Sequence, residues 1–128
     1  MHRSEEDSIL QQALSRYSFV QAAYIFGSRA TGRAKAESDL DLALVCSRAV
    51  SGLERVEMET QLSNRLQADV DLVIFHQANP LLQHKILQYG RLVYEMDRRE
   101  RIKQEKLARY EYLDTKYLHK ELGDLIHG

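Results

Sequence analysis

The stretch "IFGSRATGRAKAESDLDLALV", Ile25 to Val45, sets a small-residue turn after one apolar run and two carboxylates at the start of the next. Successive side chains of a strand alternate between faces. Asp39 and Asp41 therefore share one face, while Leu40, Leu42 and Leu44 share the other. The two aspartate Cα atoms then lie about 6.5–7 Å apart, so both carboxylates can converge on one divalent ion. Like charges on one face repel unless a cation or hydrogen-bond donors offset them. A solvated strand entrance explains an Asp-x-Asp pair as well, because aspartate is common beside turns.

Gly27-Ser28 stands at the other end of the stretch. A glycine after a strand lets backbone approach a ligand closely, and a helix start beyond it presents free N–H groups to phosphate. The Ser28 hydroxyl can donate to a phosphate, or it can cap that helix. The turn is not a Walker A loop, whose G-K-[ST] ending is absent. "RATGRAKAES" follows, polar and alanine-rich, and suits a short helix and then a loop.

Working outward, Ile9, Leu10, Ala13, Leu14 and Tyr17 recur at helical spacing and predict an amphipathic helix over about 5–17. "VQAAYIF" (Val20–Phe26) and "LDLALV" read as the first two strands. Ser51 with Glu54 forms a capping box, and the helix it opens carries Met58, Leu62 and Leu66 on one stripe. "VDLVIF" (Val70–Phe75) is a third strand. Asn79-Pro80 starts a helix that runs to Tyr89-Gly90, and "RLVYE" is a fourth strand. From Asp97, with Glu100 as its capping partner, helix formers continue to about Leu122. The pattern predicts one α/β domain over 1–128, a small mixed sheet with flanking helices and a long C-terminal helix over about 97–122.

Asp71 interrupts an otherwise apolar run whose neighbours predict burial, where a carboxylate is costly unless paired or coordinating. A sheet-edge aspartate bonded to a helix N-terminus is the alternative. Asp69, on the same face, competes with it but sits at a helix-to-strand junction that explains it. A third carboxylate beside Asp39 and Asp41 is what two-metal phosphoryl or nucleotidyl transfer requires.

Composition narrows the classes. The chain has 128 residues, 29% charged and 44% apolar, with one proline and a formal net charge of −1, an ordinary globular balance that argues for neither nucleic acid nor an anionic membrane. The single cysteine, Cys46, excludes an internal disulfide, and the five histidines show no zinc-like spacing. No run approaches membrane-span length and the N-terminus has no apolar leader, so a cytoplasmic protein is expected.

Taken together, "GSRATGRAKAESDLD" resembles the G-S-x10-D-x-D signature of the DNA polymerase β-like nucleotidyltransferase superfamily. With "VDLV" and one long final helix, the chain is similar to its minimal nucleotidyltransferases, and most similar to the MntA-type antitoxins that pair with HEPN-domain ribonuclease toxins. The resemblance implies a nucleotidyltransferase fold and Mg-dependent transfer of AMP from ATP to a tyrosine of the cognate HEPN toxin. It puts Gly27 and Ser28 against the triphosphate and makes Asp39 and Asp41 ligands of two Mg²⁺ ions. Asp71 becomes the third ligand and the base for the acceptor hydroxyl. Ser38 is a further nucleotide contact, although turn chemistry also accounts for it. Arg29, Arg33 and Lys35 stand in the same loop, and the family assigns none of them a role.

Superfamily members acting on small molecules carry an added helical domain over the acceptor. The resemblance therefore implies a partner protein that completes the acceptor surface, in a hetero-oligomer with the toxin. A stripe of Ile102, Leu107, Tyr110, Leu113 and Tyr117 on the last helix either packs on the sheet or, in its distal half, docks that partner. Two other classes stay open. One is a binding antitoxin that masks its toxin without catalysis; the other is a small-molecule or RNA nucleotidyltransferase. Direct nucleic-acid binding finds no basic stripe interleaved with aromatics, and the R-x4–6-H motif of HEPN ribonucleases is absent.

Overall fold

A computed structural model describes residues 3–30 and 39–127. Ser38, Arg33 and Lys35 lie outside the described residues. The elements run α1 (Arg3–Leu14), β1 (Val20–Phe26), a 3-10 turn (Gly27–Arg29), β2 (Leu40–Cys46), α2 (Gly52–Leu66), β3 (Val70–Ile74), a second 3-10 turn (Phe75–Gln77), α3 (Pro80–Tyr89), β4 (Arg91–Glu95) and α4 (Arg98–His127).

The four strands form one mixed sheet in the order β3-β2-β1-β4. β1 runs antiparallel to β2 and β4, while β2 and β3 are parallel, as a crossover through α2 demands. Each face of the sheet buries its own layer. Leu40, Leu42, Leu44, Val70, Leu72 and Ile74 meet Leu10, Leu14, Met58 and Leu62 of α1 and α2. Ala22, Tyr24, Ala43, Val45 and Phe75 meet Ile86 of α3 and Ala108 of α4 on the opposite face. Both faces of β2 are covered, and each fully buried leucine there contributes roughly 1.5–3 kcal/mol.

The helix ends follow their capping residues. The Glu54 N–H donates to Ser51 Oγ at 3.1 Å, the Leu82 N–H to Asn79 Oδ1 at 2.8 Å, and the Glu100 N–H to Asp97 Oδ1 at 3.0 Å. α1 stops at Leu14, short of the expected Tyr17, because the chain must turn back to enter β1 at Val20. α4 continues past the expected Leu122 to His127.

Of the apolar stripe on α4, Ile102 is half-buried, but the described stripe residues beyond it do not pack on the sheet. Leu107, Tyr110 and Leu113 are exposed, and Ala108 is the residue that enters the core. Polar side chains hold the packing face instead. Gln104 Nε2 donates to the Cys46 carbonyl at 3.0 Å, the Tyr24 hydroxyl donates to Glu105, and Arg101 bridges Glu95 and Glu105. Burial and the Glu105 carboxylate push the Tyr24 hydroxyl well above its ordinary range, so it remains a donor. Tyr112 stacks on His84 of α3, 3.8 Å between ring centroids. The Tyr117 side chain is outside the described residues.

Candidate active site

The end of β1, the start of β2 and the start of β3 meet at one edge of the sheet. In the parallel pair Asp41 stands opposite Asp71, and in the antiparallel pair Asp41 stands opposite Phe26, the residue before Gly27. Paired residues of neighbouring strands project to the same face, so Asp41 and Asp71 lie side by side on the α3/α4 face. Asp39, two residues before Asp41, precedes the first ladder residue and is exposed.

Gly27 is pressed against Asp41. Its φ is +72°, and a Cβ placed there would lie 2.4 Å from Asp41 Oδ2. Only glycine combines that backbone with so close an approach. The turn it opens receives no side-chain cap from Phe26 and is closed by the Ala30 N–H on the Gly27 carbonyl at 3.2 Å. Ser28 occupies its middle position.

Electrostatics single out the central carboxylate. Burial, then the charges of Asp71 and of Asp39, raise the Asp41 carboxyl above its ordinary value. A carboxylate destabilised by two like neighbours is a good ligand for a cation, which would offset all three charges. Among the described residues, no three His, Cys, Asp or Glu side chains are gathered tightly enough to hold an ion as they stand. The fit to a divalent metal rests on the shared face, the oxygen donor set and the charge imposed on Asp41.

Asp71 differs from its expectation. Its side chain is exposed, not buried, because β3 is an edge strand and Asp71 stands near its open end. Asp69 is exposed too, and its carbonyl accepts the Leu40 N–H at 2.9 Å, which fixes the start of β2. An open cleft of about 430 Å³ beside β3 is bordered by Asp39, Asp69 and Asp71 and, on α2, by Glu59 and Ser63. Those two α2 side chains accept the outer N–H groups of the edge strand: Leu72 on Glu59 Oε2 at 2.8 Å, and Val70 on Ser63 Oγ at 3.0 Å. A cavity of about 340 Å³ between α1 and α2, lined by residues such as Tyr17 and Gln61, has no carboxylate in its walls.

Two acidic residues of α1 flank the site, and sequence reading passed over both. Glu6 pairs with Arg29 at 2.6 Å and Asp7 takes Arg91 bidentately at 2.7 and 3.1 Å. An acidic residue in a first helical turn, as Glu6 is, ordinarily complements the helix dipole, and Asp7 one residue on reads as part of the same acidic run, so nothing in the sequence marked either as a tertiary partner.

The polymerase beta nucleotidyltransferase family model matches residues 9–99. The chain is 27% identical over 94 residues to the protein adenylyltransferase MntA of Shewanella oneidensis, covering 73% of this chain and 68% of that protein. It is 34% identical over 68 residues to a putative protein adenylyltransferase of Methanocaldococcus jannaschii, covering 53% of this chain and 73% of that protein. In fold it matches a toxin–antitoxin structure with AMP-PNP at a TM-score of 0.81 and 20% identity, over 95% of this chain and 98% of that one. A complex of tri-AMPylated Shewanella oneidensis HEPN toxin with MNT antitoxin matches at 0.78 and 17% identity, over 99% and 100%. The family match spans the turn, all four strands and the three aspartates, and this chain belongs to the polymerase β-type nucleotidyltransferases.

Proposed function

We propose that this protein is the antitoxin of a HEPN/MNT toxin–antitoxin pair, a Mg-dependent protein adenylyltransferase that moves AMP from ATP to a tyrosine of its cognate HEPN ribonuclease toxin and so silences it. The observation that carries the reading is the register of Asp41 with Asp71, with the charge of Asp39 acting on Asp41 and Gly27 against it. The names of the relatives, adenylyltransferases in both cases, favour a protein acceptor.

In this reading residues 1–128 act as one domain. Gly27 and Ser28 bring the backbone of the first 3-10 turn against the triphosphate, and Ser38 adds a contact from the segment before Asp39. Asp39 and Asp41 hold two Mg²⁺ ions, with Asp71 as a third ligand. Bound there, Mg²⁺ neutralises charge on the attacking and leaving oxygens. Asp71, exposed at the edge of the sheet, takes the acceptor proton as the tyrosine oxygen attacks the α-phosphorus. A P–O bond to the tyrosine forms, the bond to the bridging oxygen breaks, and diphosphate leaves. Alignment of acceptor and α-phosphate supplies much of the rest of the acceleration. The toxin completes the acceptor side, the pair forms a hetero-oligomer in the cytoplasm, and the chain makes no direct contact with nucleic acid. Among the described residues no helix is long and apolar enough to cross a membrane.

Labelled ATP tests the reaction type. Incubation with the neighbouring toxin should move label from the α-phosphate onto the toxin and none from the γ-phosphate. Transfer of γ-label would replace nucleotidyl with phosphoryl transfer. Transfer of neither, with the toxin still neutralised, would leave a masking antitoxin.

A further inference from the structure

The geometry points to Glu6 as a positioning residue for the nucleotide turn, acting through the guanidinium of Arg29. This rests on the reading of Gly27–Arg29 as the triphosphate turn.

Arg29 is the last residue of the turn, and Glu6 belongs to another element, the first half of α1. Arg29 Nη1 donates to Glu6 Oε2 at 2.6 Å, and the two side chains are only 17% and 13% exposed. Such a charge-assisted bond, largely shielded from water, is stronger and more directional than an open surface pair. Among the described residues the turn is closed by one backbone bond at 3.2 Å, takes no side-chain cap, and has a φ of +72° at its first residue. A glycine adopts that backbone freely, so the residue does not fix the turn by itself and its surroundings must do so. The Glu6–Arg29 pair, with the contact of Gly27 on Asp41, is such a surrounding. The guanidinium therefore works by tying the turn to α1 through Glu6.

A clamp and a direct phosphate ligand give different double-mutant patterns. Steady-state transfer is measured for Glu6→Gln, Arg29→Gln and the double variant, with Asp7→Asn as the control. The control breaks the neighbouring Asp7–Arg91 pair, whose side chains are 24% and 22% exposed, without touching the turn. The clamp predicts that both single variants raise KM for MgATP about tenfold with kcat little changed, and that the double variant is no worse. Asp7→Asn should lose comparable stability and keep the wild-type KM. Amide exchange in the nucleotide-free protein provides the second readout. Glu6→Gln should speed exchange at Gly27–Ala30 and leave β2 unchanged.

Two results would overturn the clamp. One is a raised KM for Arg29→Gln beside an unchanged or lowered KM for Glu6→Gln, the pattern of a direct phosphate ligand. The other is unchanged exchange at the turn in Glu6→Gln. A wild-type protein that transfers no AMP would refute the function proposed above, and the exchange experiment would still decide the clamp.

Discussion

Replacing Gly27 by alanine perturbs the turn and the central carboxylate together. An L-residue in the left-handed region costs about 1–2 kcal/mol. For a chain of this size that lowers Tm by roughly 3–10 °C. The added Cβ would also lie 2.4 Å from Asp41 Oδ2, well inside the 3.0 Å that real Cβ atoms essentially never breach. The Asp41 carboxylate must therefore swing away by about half an ångström or more, or the turn must lift off the strand. Either movement separates the turn from the carboxylates, and misplacement on that scale costs on the order of 100-fold in transfer rate. Thermal unfolding and AMP transfer to the toxin measure the two parts. A double variant, Gly27→Ala with Asp41→Ala, separates them further. Against Asp41→Ala alone it should lose only the backbone share of stability, because the clash has gone. A Gly27→Ala protein with wild-type transfer and a Tm within about 1 °C of wild type would refute the reasoning.

The three aspartates should make the metal-free protein less stable than it would be without one of them. Asp41 has a carboxyl raised in the fold, so the folded state binds its proton more tightly than the unfolded chain does. That contribution is present below the unfolded value of 3.8 and is lost as pH rises through the raised folded value. Asp71→Asn should therefore stabilise the metal-free protein by roughly 0.2–1 kcal/mol at pH near 7, in urea unfolding, with the gain shrinking as pH falls toward 4. A gain independent of pH would contradict the repulsion. On α4, Ala108→Leu should destabilise by about 1–3 kcal/mol by overfilling the face that meets the sheet, while Leu107→Ala should change unfolding by less than about 0.5 kcal/mol. Equal losses at the two positions would return the apolar stripe to the core. Chelation with EDTA should abolish transfer and excess Mg²⁺ should restore it, whereas transfer surviving EDTA would remove the metal from the account.

The sequence spoke most clearly where local chemistry decides the outcome. Ser51, Asn79 and Asp97 each cap the helix they were expected to open, because capping needs only a short polar side chain and a nearby N–H. Period-two alternation put Asp39 and Asp41 on one face, and the strand register agrees for Asp41. Asp71 was harder. Its apolar neighbours predict burial, but strand order decides burial, and no local pattern says that β3 is an edge. On α4 the sequence left packing and docking open for a related reason. Hydrophobic periodicity counts apolar side chains, while the face on the sheet uses Arg101, Gln104 and Glu105, whose long stems cover apolar surface and whose heads are hydrogen-bonded. Leu107, Tyr110 and Leu113 were left on the outside. Glu6 and Arg29, 23 residues apart, left no local trace of their pairing.

Intact-mass spectrometry of the cognate HEPN toxin tests the central claim most directly. The toxin is incubated with this protein, ATP and Mg²⁺, beside an Asp39→Asn/Asp41→Asn control. The account predicts mass gains in steps of one AMP, abolished in the control, with the modified peptide carrying a tyrosine. An unmodified toxin that both proteins neutralise equally would contradict it.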